Sequence, residues 1–416
     1  MARTRGTRRA RRERRLAQRS RDAMRALTAG ALSLPGLGHG ASAESAPLEI
    51  RSDYRYSRYA EDPLPSSNLA AGSEDRYEID IHQFSFEAPL GDALDLGIDI
   101  NHETMSGASP WYVTPGASPG DDPEQVMTAA TISETRTDAL VSGRFYGEST
   151  RTDIAGGFSV ENDYQALNLS LGVERDFDEK HTTLSGGIGG SFDDIEPSDT
   201  DQYPERVRSE KKETYDVFVG LSQVIGRSTT AQTSVKLAHA TGFLSDPYKQ
   251  AFVVSAPLSD ARPDDRNQLA WLTRLRHHFG RVDGTVHLDY QYYVDDWEIN
   301  SHTLELAWYQ QLFERVSLIP SLRYYSQSQA YFYAPFYTSA RSDGLRSSDY
   351  RLSPFGALSY RLEAEAKIHT GDFAWLLTAG WERYTSRADL ALGSVSVENP
   401  GLVSYELYTV GLSARF

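Results

Sequence analysis

The sequence has no cysteine and no long apolar run. None of its 416 residues is Cys, which excludes disulfide frameworks, thiolate metal sites and cysteine nucleophiles. Beyond residue 43, no stretch approaches the roughly 18 apolar residues that indicate a transmembrane helix. Hydrophobic residues make up only 39% of the chain, and the mean hydropathy is −0.49. A membrane β-barrel is compatible with both absences, because each of its strands is apolar on one face only.

The N-terminus has few acidic residues and many basic ones, followed by apolar ones. Residues 3–25 contain eleven arginines against Glu13 and Asp22, and residues 23–40 are mostly apolar or small. Ala41-Ser42-Ala43 then supplies a small-x-small cleavage site. The pattern predicts a signal peptide over 1–43, cleaved near Ala43, and a mature chain over 44–416. The alternative is a basic tail that binds nucleic acid.

From residue 50 onward, apolar residues recur at every second position over segments of about ten residues or more. Residues 94–101, for example, read Leu-Asp-Leu-Gly-Ile-Asp-Ile-Asn. A soluble β-sandwich alternates too, but these segments run for about 12–15 residues, whereas soluble strands usually have about 5–6. The polar face is charged along its length, as in a strand that faces lipid on one side and a wet lumen on the other.

The breaks between these segments alternate in length, as periplasmic turns and external loops do in outer-membrane barrels. Counting a first strand from Glu49 to Tyr59 gives sixteen strands with both ends periplasmic. The sequence therefore predicts an all-β fold, a transmembrane antiparallel up-and-down β-barrel of about 16 strands in the bacterial outer membrane. The short breaks fall near 89–92, 148–151, 177–180, 226–228, 279–283, 313–315 and 369–371, and the longer ones near 60–75, 106–132, 194–211, 244–264, 328–349 and 386–401. Two breaks of intermediate length, near 161–165 and 294–300, keep the alternation.

The last nine residues resemble the C-terminal signal that the barrel-assembly machinery recognises. A polar residue is followed by Gly two positions later and by hydrophobic residues at the third-last and last positions: Thr409, Gly411, Ala414 and Phe416. The alternative is an ordinary amphipathic strand at the terminus. Aromatic residues also lie beside the short breaks, where an interfacial girdle would place them; these are Phe177, Phe279, Phe313, Phe373 and Phe416.

Strings of polar and aromatic residues recur along the chain, for example Asp-Tyr-Arg-Tyr-Ser-Arg-Tyr-Ala-Glu-Asp over 53–62. Further strings occupy 106–110, 133–136, 161–164, 242–249, 295–297 and 324–333. Together they resemble an uncharacterised family of bacterial outer-membrane β-barrel proteins that is known only as a domain of unknown function. The resemblance covers most of residues 50–416 and implies the barrel fold. It implies no activity, cofactor or catalytic residue.

Two patterns suggest site chemistry but have plainer explanations. Ser301 and His302 resemble residues used by outer-membrane hydrolases, yet His302 is in phase with Leu304 and Leu306 and is expected to point toward lipid. Pairs of aspartates in predicted external loops are possible calcium ligands, but none has the spacing of a known calcium loop, and a solvated acidic loop is the alternative. We therefore expect no catalytic, cofactor-binding or metal-binding residue, and no enzyme. The pairs are Asp121-Asp122, Asp193-Asp194, Asp264-Asp265 and Asp295-Asp296.

Charged residues on the polar face of the strands are expected to line the lumen. A barrel of this width is not filled by its own side chains, so water or loops must occupy it. Opposed charges would polarise a porin-like constriction, whereas the alternative is a charge ladder on a solvated wall. The loop at 328–349 has an apolar start at 331–337, which predicts that it folds inward or packs on the barrel mouth. The expected lumen-lining residues are Arg274, Arg276, Asp289, Glu305, Arg323 and Glu382.

Two functions fit this pattern. One is a porin-like channel or transporter for small hydrophilic solutes, and the other is a non-enzymatic scaffold or surface-binding barrel that engages a partner through its external loops. Loss of residues 1–43 would change the net charge from −16 to −25, so nucleic acid is not an expected partner. The expected partners are outer-membrane lipid, lipopolysaccharide and, during biogenesis, the barrel-assembly machinery. The oligomeric state is left open.

Overall fold

The computed structural model describes residues 49–118, 120–128, 132–370 and 373–416. The predicted signal peptide and its cleavage site lie outside these residues. The described chain forms 21 β-strands and three short 3-10 turns. Within the described ranges, no helix is long and apolar enough to cross a bilayer.

Sixteen of the strands close into one barrel in which every neighbouring pair is antiparallel. The predicted sixteen-stranded up-and-down barrel is confirmed. The barrel strands are β1 Arg51–Glu61, β3 Glu78–Pro89, β4 Leu94–Gly107, β7 Ile132–Tyr146, β8 Thr150–Val160, β9 Tyr164–Phe177, β10 Thr182–Ile195, β11 Glu210–Gly226, β12 Thr229–Gly242, β15 Asp265–Phe279, β16 Gly284–Asp295, β17 Asn300–Phe313, β18 Val316–Gln327, β19 Phe355–Thr370, β20 Phe373–Arg387 and β21 Ser404–Arg415.

The first and last strands form the closing seam. Strand β1 pairs with β21 along its whole length, and the seam continues past both strands. The Ile50 amide donates to the Phe416 carbonyl at 2.9 Å, and the Phe416 amide donates back at 3.1 Å. The first strand was expected over Glu49 to Tyr59 and is observed two residues later, because Glu61 still pairs with Tyr405 of β21.

Side chains alternate between two faces of each strand, as the sequence pattern predicts. In β9 the exposed leucines at 167, 169 and 171 alternate with Ala166, Asn168 and Ser170. Large apolar side chains stay exposed on the outer face, with Ile188 at 59% and Val219 at 61%. An apolar face of this extent is stable only against lipid. The alternate positions therefore face the lumen.

Seven short connections join strands at the periplasmic end, and eight connections, six of them long, join them at the external end. We call the eight external connections the cap: residues 62–77, 108–131, 161–163, 196–209, 243–264, 296–299, 328–354 and 388–403, as far as the structure describes them. They contain the remaining strands, which form two small sheets. These strands are β2 Leu69–Ala71, β5 Pro110–Thr114, β6 Glu124–Met127, β13 Gln250–Val253 and β14 Ala256–Ser259.

The last cap connection begins by crossing the outside of the barrel rim. A 3-10 turn over Ala388–Leu390 lies against β19, and the Tyr324 hydroxyl donates to the Leu390 carbonyl at 2.7 Å. The position beneath it is Gly356. A Cβ there would lie 2.0 Å from the Leu390 oxygen, so only glycine leaves room for this crossing. We call residues 388–392 the strap.

Candidate functional site: the lumen and its cap

Strand register places four of the six expected lumen residues in one row. Arg274 pairs with Asp289, Asp289 with Glu305, and Glu305 with Arg323, across strands β15 to β18. All four lie at positions that alternate with lipid-facing residues such as Leu288 and Leu306. Arg276 lies one step along β15 on the same face, and Glu382 lies on the lumen face of β20.

The row places two carboxylates side by side, and arginines offset their repulsion. Asp289 lies directly opposite Glu305. The Arg274 Nε lies 3.5 Å from Asp289 Oδ2, and Arg276 Nη2 donates to the same oxygen at 3.0 Å. Like charges at facing positions destabilise a sheet unless they are compensated. On the far side of Glu305, Arg323 remains largely exposed to the lumen.

Glu382 has a different environment from the row. It accepts a hydrogen bond from the Ser359 hydroxyl, and Ser359 lies directly opposite Arg323 in the sheet. The six expected residues thus occupy one arc of the wall, from β15 to β20. This arrangement can bind and orient small charged or hydrogen-bonding solutes.

The external mouth is closed over by the cap, with residues 328–354 at its centre. Phe332 is fully buried, and Tyr333 and Leu352 are nearly so, in a cluster with Trp297. The Trp297 and Phe332 rings meet edge to face, with centroids 5.1 Å apart. The prediction that this apolar loop packs on the barrel mouth is confirmed.

Other cap connections pack on this central loop through hydrogen bonds between main chains and side chains. The Ala261 and Arg346 backbones exchange two hydrogen bonds, of 2.9 and 2.8 Å. The Asn399 Nδ2 donates to the Tyr333 hydroxyl at 2.8 Å, and the Val113 amide donates to Ser348 Oγ at 3.4 Å. The cap is therefore one interlocked layer rather than eight independent loops.

A buried network of charges joins residues 243–264 to residues 328–354. The Arg262 guanidinium bridges two carboxylates, with Nε 2.7 Å from Asp260 and Nη2 2.9 Å from Asp349. The Arg351 guanidinium also contacts Asp349, and its Nη2 lies 3.2 Å from Asp246. The side chains of Asp260 and Asp349 are completely shielded from solvent. We call these five residues the latch.

The pKa values of the two shielded carboxylates of the latch are shifted in opposite directions. Burial alone would raise the pKa of Asp349, but the cations of Arg351, Lys249 and Arg262 lower it well below its usual range. For Asp260, burial outweighs the single close cation of Arg262, and the pKa rises. Asp349 therefore depends on the latch for its charge, whereas Asp260 bears a desolvation penalty.

The sequence did not reveal the latch. Its residues fall in short polar strings that look like ordinary solvated loop: Asp-Pro-Tyr-Lys over 246–249, Asp-Ala-Arg over 260–262 and Ser-Ser-Asp-Tyr-Arg over 347–351. Pairing between loops so distant in sequence depends on how strands β12 to β19 assemble, which local pattern does not report. The only available signal was the adjacent apolar run at 331–337, which indicated that this connection is packed.

The paired aspartates do not form the clusters that a metal would need. The Asp193-Asp194 pair lies within β10 rather than in a loop, with Lys212 Nζ 2.6 Å from Asp193 and Lys211 Nζ 3.5 Å from Asp194. Asp295 forms an ion pair with Arg266, whose Nη2 lies 2.5 Å from Asp295 Oδ2. Among the described residues, no group of three His, Asp or Glu side chains is arranged to hold a metal ion.

His302 lies on the lipid-facing side of β17, in phase with Leu304 and Leu306. Its Nδ1 shares a hydrogen bond of 2.8 Å with the Tyr290 hydroxyl, and its ring contacts that of Tyr292. This position belongs to the outer surface of the barrel and is separate from the lumen.

Comparison with known proteins gives a family and a set of distant folds. The model of a family described as "Protein of unknown function (DUF3570)" matches residues 24–401. No curated protein matches the sequence. Among solved structures, the siderophore receptor PirA of Pseudomonas aeruginosa is similar with 11% identity and a TM-score of 0.42, over 86% of this chain and 62% of that one. The chain thus spans less than two thirds of that receptor.

Two similar structures match this chain over nearly their full lengths. A loop-deletion variant of OmpT, an outer-membrane protein of Vibrio cholerae, has 8% identity and a TM-score of 0.43 over 88% of this chain and 98% of that one. Pseudomonas aeruginosa OpdK has 10% identity and a TM-score of 0.38 over the same shares.

Proposed function

Since the chain belongs to the DUF3570 family of proteins of unknown function, we propose a function from its own geometry: a porin-like channel for small hydrophilic solutes, closed at its external mouth by the cap. The observation that carries the proposal is a charged, sixteen-stranded lumen beneath an interlocked external layer. A barrel of this size has room for an aqueous path wherever loops do not fill it.

The proposal places the mature chain in the outer membrane after cleavage near Ala43. It involves no enzymatic step and no cofactor. Lipopolysaccharide surrounds the external rim, and the assembly machinery acts only during insertion. The latch supports a gated rather than a permanently open channel, because one displaced connection would release partners in several others.

Conductance across planar bilayers tests this proposal. Deletion of residues 334–346 removes Tyr337 and Arg346, which bond to residues 252–254 and 261. We expect the deletion to raise single-channel conductance several-fold, because it removes the centre of the cap. The folded state of the variant is checked by the heat-dependent mobility shift of barrels in gels.

A reversible disulfide supplies a sharper version of the same test. Ala261 and Arg346 form a hydrogen-bonded antiparallel pair, whose Cα atoms lie about 5.5 Å apart, within disulfide range. The chain has no other cysteine to interfere. The double variant Ala261→Cys, Arg346→Cys should stay closed when oxidised and open more often when reduced. The matched single variants should not respond to reductant.

The second candidate function is a surface-binding scaffold, favoured by the ordered external layer that the cap presents. It takes the place of the channel if the intact chain, the loop deletion and the reduced double variant are all electrically silent while folded. Binding of a partner at the external face would then become the property to measure.

A further inference from the structure

We infer that the lumen is polarised across its width and that the channel prefers cations, which follow the wall formed by β3, β4, β7, β8 and β9. This inference rests on the proposed channel function and adds a substrate class to it. The wall in question lies directly opposite β15 to β19, eight places around the ring of sixteen strands.

The two walls differ in charge. The lumen positions are odd-numbered in β3, β4 and β8 and even-numbered in β7 and β9; they carry nine carboxylates and three arginines. The opposite wall uses even-numbered positions in β15 and odd-numbered ones in β16 to β19; these carry five carboxylates and six basic residues. The field across the lumen therefore runs from one wall to the other.

The three arginines of the acidic wall are shared among too many carboxylates to neutralise it. Arg144 lies 3.0 Å from Glu87, 3.8 Å from Asp95 and 3.4 Å from Asp153. Arg151 lies 3.1 Å from Asp153 and 2.9 Å from Glu174. Each guanidinium carries a single charge, so a net negative potential remains along the wall.

Two carboxylates on this wall are left without a matching cation. Asp99, midway along β4, makes no ion pair with any described residue. Glu103, nearer the cap, is only 6% exposed, and its Oε2 has no hydrogen-bond partner among the described residues. The Nε of its cross-strand neighbour Arg136 lies 3.7 Å from Glu161 Oε1 and donates a hydrogen bond to Ser159 Oγ at 3.0 Å. The more exposed Asp99 is therefore the carboxylate that adds uncompensated negative potential beside the path.

Small residues keep part of this wall free of long side chains. Ala166 and Gly172 occupy lumen positions of β9. At Gly187 of β10, a Cβ would lie 2.5 Å from the Phe218 ring. The ring thus lies flat against the wall in the room that glycine leaves and does not project into the lumen.

The test measures reversal potential in a potassium chloride gradient, with the 334–346 deletion as an open background. We expect potassium to permeate more readily than chloride. Asp99→Asn should lower the permeability ratio by about two-fold, because it removes an uncompensated charge beside the path. Glu103→Gln should lower it less, because that carboxylate is buried and faces Arg136. Arg323→Ala, on the opposite wall, should raise it. Replacing potassium by choline should retain a cation current.

Two further variants test whether the position of a carboxylate, and not only the total charge of the protein, sets the permeability ratio. Glu305→Gln removes one carboxylate from the opposite wall and should shift the ratio less than Asp99→Asn does. Glu213→Gln removes one from the lipid-facing side of β11, where Glu213 accepts from the Tyr215 hydroxyl, and should leave the ratio unchanged. The preference should also shrink between about 0.1 and 1 M salt, as the Debye length falls from about 10 to 3 Å.

Equal shifts from both walls, or a channel that prefers chloride, would overturn the inference while leaving the channel in place. A folded protein that conducts no ion in any background would instead remove the channel, and this inference with it.

Discussion

At the scale of single residues, the position in a strand determines whether a side chain faces lipid or the aqueous lumen. Leu306 faces lipid, with Leu288 and Leu322 beside it on the neighbouring strands. Gln291, on the adjoining strand, takes the opposite phase and faces the lumen. Because the side-chain period of a strand is two, neighbouring positions experience different solvents.

This phase predicts unequal costs for the same substitution. Leu306→Arg should lower the free energy of unfolding by about 2–4 kcal/mol, if the position lies near the bilayer midplane, because the guanidinium enters hydrocarbon. Gln291→Arg should cost little, because its side chain stays in water. Denaturant titration of the refolded barrel in lipid gives both values. Equal costs at the two positions would refute the assigned phase.

Asp349 is the residue on which the latch depends most. Asp349→Asn leaves Arg262 and Arg351 without their shared carboxylate and should destabilise the closed cap by about 3–5 kcal/mol, since both partners are largely buried. Hydrogen exchange of amides in 328–354 reports the change. Asp343→Asn in the same loop is the control, because Asp343 pairs with Arg341 in solvent. Comparable exchange in both variants would rule out the latch.

Acid should act on the latch in a fixed order. Asp349 has a lowered pKa, so its contribution is complete above the unfolded value of about 3.9 and is lost only as pH falls through the depressed folded value. Asp260 has a raised pKa, so it takes up its proton first, and this relieves its desolvation. The cap should therefore stay closed from neutral pH down to about pH 4 and loosen only in stronger acid.

At the scale of elements, the strap can lie against the barrel rim because Gly356 has no side chain. Gly356→Ala places a methyl group 2.0 Å from the Leu390 carbonyl and should displace residues 388–392 from the rim. Gly380→Ala on the next strand is the matched control, because the nearest atom there is 3.7 Å away. Limited proteolysis should cut the strap faster in the first variant only. Protection of the strap in both variants would contradict the close approach.

Elements also differ in how far the sequence predicts them. The strands were predictable because lipid and water impose a period of two over a dozen residues, and each turn interrupts it. The first strand was misplaced by two residues, since its ends are fixed by pairing with Tyr405 rather than by its own pattern. The cap contacts were beyond reach, because Asp349 and Asp246 share no local pattern and meet only when strands β12 to β19 have paired into a curved sheet.

At the scale of the whole molecule, the seam completes the barrel. Deleting Phe416 removes its two hydrogen bonds to Ile50 as well as the terminal ring, whereas Phe416→Ala removes the ring alone. If the assembly machinery reads the ring, both changes should lower the yield of heat-modifiable barrel to a similar extent. A normal yield from Phe416→Ala would assign the effect of the deletion to the seam instead.

The interlocking of the cap has a consequence for the order of biogenesis. Arg76 is bonded both to Glu61 at 2.6 Å and to the Gly401 carbonyl at 3.2 Å, so one early residue requires a partner more than 300 positions later. We therefore expect the Arg76 guanidinium to stay hydrated until the last strands have inserted. We expect the cap to be the last part of the molecule to exclude water. Its backbone amides should become protected from hydrogen exchange only after the barrel has closed.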